Sequence, residues 1–160
     1  MAIKKYFSTA DNTISNAFDE TLLSSNRATG SNMGASDILE VFQIYGQQVT
    51  SSSELSRVLI QFDTAKIATD RADLKIPASG SVKFYLNMYN ASHSSTLPEN
   101  FDLTISAVSA SWEEGNGLDM VNYTDKTYEG TGSNWIQARH SASTDNGRWT
   151  SAGGDYLTDA

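Results

Sequence analysis

A chain of 160 residues with 39% hydrophobic content is long enough to bury a core within one domain. A net charge of −8, with Lys4-Lys5 as the sole basic cluster, argues against a nucleic-acid binder, which needs clustered Lys and Arg against phosphate. The absence of cysteine excludes a disulfide framework and every thiolate metal site.

The opening stretch Met1–Asp11 carries two lysines but no apolar run behind them. A secretory signal requires about seven or more apolar residues there, and no stretch approaches a membrane span. The expectation is therefore synthesis in a cytoplasm without export or membrane insertion. Ile3–Phe7 is predicted as an opening strand and Thr13-Ile14 as a second short one. Residues 24–36 form a polar loop, in which Gly30 and Gly34 are placed to adopt backbone conformations that other residues avoid.

Ile38–Tyr45 reads as a strand closed by Gly46, and the Ser-rich stretch 47–53 as an exposed connection. In Arg57–Asp63, Val58, Ile60 and Phe62 alternate with Arg57, Gln61 and Asp63, leaving Leu59 as the apolar exception. That pattern predicts a strand burying its Val58/Ile60/Phe62 face. Thr64–Asp73 reads as a helical turn or short helix, capped by Asp63 or Thr64, with Ile67 inward.

Pro77 and Gly80 lead into Val82–Tyr89, the clearest alternation in the chain. Val82, Phe84, Leu86 and Met88 fall on one face, Lys83, Tyr85, Asn87 and Tyr89 on the other. After a loop containing Pro98, Phe101, Leu103, Ile105 and Ala107 alternate again. No longer segment follows a helical period, so the predicted class is all-β. Past Glu113, Gly, Asp, Asn, Ser and Thr dominate, and only Trp135–Ala138 resembles a short element. Composition thus divides the chain into a β domain over 1–140 and an irregular extension over 141–160. The usual late strands of an antiparallel sandwich are missing, which suggests a sandwich completed by further sequence or by another chain.

Chemistry is sparse. His93 and His140 lie in separate polar loops without metal-ligand spacing, and no Gly-x-Ser-x-Gly elbow supports a nucleophile. Gly30-Ser31-Asn32-Met33-Gly34 lacks the lysine of a phosphate loop and reads as a turn. Glu113, Glu114, Asp119 and Asp125 are the one acidic cluster that could serve a glycosidase-like acid and base, or hold Ca²⁺. They sit in a Gly-rich loop without EF-hand spacing, so solvated carboxylates are the better reading. No catalytic, metal or cofactor residue is assigned. Tyr85, Tyr89, Trp135 and Trp149 are the candidate glycan contacts, although packing is favoured for Trp135 and Trp149. Trp112 is expected to seal the end of the sandwich. The sequons at Asn90 and Asn122 are read as chance matches.

The order of Thr13-Ile14, Ser31-Asn32-Met33-Gly34, Ile38–Val41, Ser56–Asp63, Val82–Leu86 and Val108–Glu114 resembles the DNRLRE-type domain over roughly residues 10–140. That resemblance implies an antiparallel jelly-roll-like β-sandwich akin to carbohydrate-binding modules. The chain departs from the family by lacking its final strands and by carrying the longer stretch Gly115–Gly132. Met1-Ala2-Ile3 running straight into the domain, and Ser-Trp-Glu-Glu-Gly followed by Gly-Ser-Asn-Trp, are similar to virion proteins of tailed bacteriophages. The resemblance implies a non-enzymatic tail, neck or capsid-surface component, made in the host cytoplasm and working as a homo-oligomer with other virion proteins. The alternative it implies is a carbohydrate-binding module or receptor-binding element for host surface glycans.

Overall fold

The computed structural model describes residues 3–19, 26–46, 49–93, 99–119, 132–140 and 147–158. Its regular structure is mainly β: strands β1 (Ser8–Ser15), β2 (Gln43–Tyr45) and β3 (Ser53–Phe62), followed by helix α1 (Thr64–Ala72) and a single 3-10 turn at Ser79–Ser81. The sheet order is β1-β3-β2. β2 runs antiparallel to β3, with Gln43 opposite Leu55 and Tyr45 opposite Ser53. β1 also runs antiparallel to β3: Thr9 bonds the Gln61 carbonyl at one end, and the Asn16 amide bonds the Leu55 carbonyl at the other.

The chain forms two compact units, Met1–Thr9 with Gln61–Leu103, and Ala10–Ile60 with Thr104–Ala160. In the first, Asp63 caps α1 by accepting from the Lys66 amide at 2.8 Å, the role foreseen for Asp63 or Thr64. The helix buries Asp70, while Ile67 is only half-buried.

The second unit holds a small apolar core of Ile14, Leu59, Trp135, Ala138 and Trp149, flanked by Leu55, Ala110, Trp112 and Ile136. Trp112 lies at its rim, as expected. Residues 147–158, which composition sets apart as an extension, pack within this unit: Trp149 belongs to its core, and Val108 bridges Tyr156.

Four expectations are corrected. The opening strand is one element at Ser8–Ser15, not two short ones at 3–7 and 13–14. Of Ile38–Tyr45 only the last three residues are strand. Upstream, the Ser56 amide still donates to the Phe42 carbonyl at 3.1 Å, but the Ser56 hydroxyl accepts from the Phe42 amide and donates to the Glu40 carbonyl, so side-chain bonds take over part of the ladder. In β3 the apolar core takes Leu55 and Leu59, so the parity is opposite to the predicted Val58/Ile60/Phe62 face. The other parity covers Glu54 and Ser56, both buried. Val82–Tyr89 and Phe101–Ala107 belong to no strand among the described residues.

Candidate functional site

The interior of the second unit is polar as well as apolar. Asn12, Thr13, Ser15, Ser31, Asn32, Ser133 and Asn134 are all at most 1% exposed. Burial of so many amides and hydroxyls is tolerable only if each finds partners. Asn32 does so fully: its Nδ2 donates to the carbonyls of Glu114 (2.8 Å) and Ser133 (2.7 Å), and its Oδ1 accepts from the amides of Gly34 (3.2 Å) and Gly117 (2.8 Å). Two donors and two lone pairs are the whole capacity of a carboxamide. Asn12 donates to the Ser133 carbonyl and hydroxyl and accepts from the Met33 amide. The Ser31–Gly34 segment is thereby stitched to residues 113–119 and 132–134.

Two glycines make this close approach possible. A Cβ on Gly34 would overlap the Glu114 carbonyl, and one on Gly115, at φ +84°, would fall 2.5 Å from Asn32 Nδ2. Gly34, expected to take an unusual backbone conformation, is instead required for its lack of a side chain, because its φ is not positive.

The acidic cluster is spent on backbone amides. Glu114 Oε1 accepts from Asp11 (2.7 Å), Asp119 Oδ2 from Asn32 (3.1 Å), and Glu113 Oε2 from His140 (3.2 Å). Asp125 lies outside the described residues, as does Asn122 of the second sequon. Among the described residues no group of three or more His, Cys, Asp or Glu is placed to hold a metal ion. His93 is exposed and lies 3.4 Å from Asn90.

The four candidate glycan contacts divide between the units. Trp135 and Trp149 are 8% and 5% exposed in the second, and Trp149 Nε1 donates to the Asn134 carbonyl at 2.8 Å. Buried indoles leave no open face for a sugar to stack on, so packing, the favoured reading, is where the structure puts them. Arg57 sits over Trp135 (5.2 Å) and Tyr156 (4.9 Å), and its Nη1 donates to the Gly153 carbonyl at 2.5 Å. Its guanidinium therefore ties the 153–156 segment to β3. Tyr85 and Tyr89, in the first unit, are 78% and 94% exposed.

One titratable cluster escaped sequence reasoning. Asp70, buried on α1, receives Lys4 Nζ at 2.9 Å, the Tyr6 hydroxyl at 3.0 Å and Lys75 Nζ at 3.4 Å. The hydrogen bond from Lys4 holds its carboxyl below the ordinary range against the opposing effect of burial, with Tyr6 adding to the shift. Tyr6 is pushed up, first by burial and then by its bond to Asp70. Lys75 is pushed up mainly by Asp73, then Asp70. The sequence hints at it only through the pair Lys4-Lys5. A partner more than sixty residues away leaves no local signal.

The remaining surface feature is apolar. Phe84, Leu86, Met88, Phe101, Leu103 and Ile105 are each at least 40% exposed. Over 82–93 and 99–106 the backbone makes no hydrogen bond among the described residues. Two segments that alternate as strands thus carry apolar side chains into solvent and backbone groups without ladder partners.

Comparison with protein-family models, with curated proteins and with solved structures finds no match. No helix of the described residues is long and apolar enough to cross a membrane.

Proposed function

We propose that this chain is a non-enzymatic structural subunit of a tailed-phage virion, in the tail and neck region or on the capsid surface, which works by assembling through strand edges. The observation that carries the mode of action is the pair of exposed, alternating segments at 82–89 and 101–107. Large exposed apolar side chains along an unladdered segment mark an interaction surface rather than a monomer's ordinary exterior. The kind of particle rests on the similarity of Met1-Ala2-Ile3, and of Ser111-Trp112-Glu113-Glu114-Gly115 followed by Gly132-Ser133-Asn134-Trp135, to virion proteins of tailed bacteriophages. On this reading the three-stranded sheet is the part of a jelly-roll-like sandwich that one chain forms alone, and assembly completes the rest. The partners are other virion proteins and further copies of this chain. Mass spectrometry of purified particles tests the reading: the protein is expected at stoichiometric abundance, and its absence from particles defeats the proposal.

A second reading, glycan binding on the same particle, is favoured by one observation, the exposure of Tyr85 and Tyr89. Exposed aromatic rings present faces on which pyranose rings stack. Binding on an array of host surface glycans that is lost in Tyr85→Ala and Tyr89→Ala supports it. The buried Trp135 and Trp149 are not expected to contribute contacts.

A further inference from the structure

We propose that Asn116-Gly117 is a latent deamidation site, which the buried carboxamide of Asn32 keeps chemically silent while the chain is folded. The inference concerns the polar centre of the second unit and stands apart from what the chain assembles with.

Asparagine is a thermolabile residue, and a glycine after it leaves the following amide unhindered by a Cβ. The sequence holds two such pairs, Asn116-Gly117 and Asn146-Gly147. In the reaction the glycine amide nitrogen loses its proton and attacks the asparagine Cγ. The new N–Cγ bond closes a succinimide ring, and the side-chain nitrogen leaves as ammonia. Water then opens the ring at either carbonyl. The products are aspartate, or isoaspartate, in which the main chain runs through the former side chain.

The two reacting groups of the first pair lie in opposite surroundings. Asn116 is exposed, so its carboxamide is open to water, whereas Gly117 is buried. The Gly117 amide donates to Asn32 Oδ1 at 2.8 Å, and the Gly117 carbonyl accepts from the Ala35 amide at 3.0 Å. Asn32 is itself fixed: its Nδ2 donates to the Glu114 and Ser133 carbonyls, and its own amide donates to Asp119 Oδ2. Attack would require the Gly117 N–H to leave this acceptor, give up its proton in a buried site, and turn its nitrogen toward Cγ. A buried hydrogen bond must break first, so the reaction waits on local opening.

Fold and bond protect each other. Isoaspartate adds a methylene to the main chain just before Gly117, which would carry its amide and carbonyl off Asn32 and Ala35. A chain left unfolded for long would thus lose the means to rebuild its polar centre, whereas a folded one keeps it. Exposure of Asn116 alone would mark a reactive residue; the buried acceptor of its neighbour's amide reverses that.

The test incubates the full chain in mildly alkaline buffer and follows each Asn-Gly pair by peptide mass spectrometry, with isoaspartate separated by chromatography. In guanidinium chloride both pairs are expected to deamidate at similar rates. In the folded chain Asn116 should react at least roughly tenfold more slowly than in the unfolded one, the factor one buried hydrogen bond supplies to an opening equilibrium. Equal rates at Asn116 in folded and unfolded chains overturn the proposal. So does an Asn116 that stays intact in guanidinium chloride while Asn146 reacts. Asn32→Ala and Leu59→Ala, compared where circular dichroism shows both folded, separate the carboxamide from folding in general. Asn116 is expected to react faster in the first only, and the same acceleration in both overturns the role of Asn32. Should Asn32→Ala not fold, hydrogen exchange on the unaltered chain decides. The Gly117 amide is expected among the slowly exchanging ones, and fast exchange there overturns the proposal.

Discussion

Asn32 shows how a polar residue can organise a small domain. Its side chain joins four backbone groups drawn from three stretches of sequence. Truncation would take the Asn32 partner from the Glu114 carbonyl and from the Gly34 and Gly117 amides in a buried site, while the Ser133 carbonyl keeps Asn12. Asn32→Ala should therefore lower unfolding free energy by about 3 kcal/mol or more in urea titration, given about 1–3 kcal/mol per unsatisfied buried group. Asn32→Asp should be at least as damaging, because it sets a carboxylate oxygen, which only accepts, against two carbonyl oxygens. Glu54 is the opposite case. Its Oε2 accepts from the Phe18 amide at 2.9 Å, but Oε1 is buried with no partner. Glu54→Gln keeps the useful acceptor and removes a charge, so stability should hold or rise, whereas Glu54→Ala should cost about 1–3 kcal/mol. Asp70 adds a pH dependence. Its carboxyl is held below the ordinary value of 3.8, so its contribution is present above that value and disappears as pH falls through the lower folded one. Tyr6 and Lys75 are raised from 10.0 and 10.5, so theirs is present below those values and fades as pH climbs through the higher folded ones. Thermal melts across pH should show both limbs, and Asp70→Asn should flatten the acid one. An acid limb unchanged in that variant would place the sensitivity elsewhere.

At the scale of elements, the reliability of the sequence follows the range of the interaction. The Asp63 cap of α1 is a contact between residues three apart, and Asp63 was legible as a cap from residue type and position alone. The existence of β3 was equally legible, because alternation is written in the strand itself. Its buried face was not. Leu59 was the apolar exception in the pattern and is the residue the core uses, because Trp135 and Trp149 arrive on its side from far along the chain. Leu59→Ala should accordingly cost about 2–5 kcal/mol, and Val58→Ala clearly less, since Val58 is only half-buried. Comparable losses in denaturant titration would restore the face that alternation suggested. Arg57 anchors the 153–156 segment, with its guanidinium over the rings of Trp135 and Tyr156.

For the whole molecule, the charge of −8 sets how copies meet. Acidic chains repel one another, and salt screens long-range repulsion more than packed apolar contact. Association measured by sedimentation should therefore strengthen from low to moderate ionic strength. An assembly that dissociates with added salt would mean that charge, not apolar burial, holds it together.

The sequence by itself determined a mainly β chain with one short capped helix, no thiol chemistry, a net charge of −8, and two strongly alternating segments. Each of these depends on composition or on neighbours a few residues apart. The tertiary structure decided that Trp135 and Trp149 form the core, that the acidic cluster is spent on backbone amides, that Asn12 and Asn32 hold a buried polar centre, and that Lys4, Tyr6 and Lys75 converge on Asp70. It also decided that, among the described residues, 82–89 and 101–106 enter no strand ladder. Alternation encodes a capacity for a ladder and one buried face, but the partner that realises it is a long-range property that no local pattern contains.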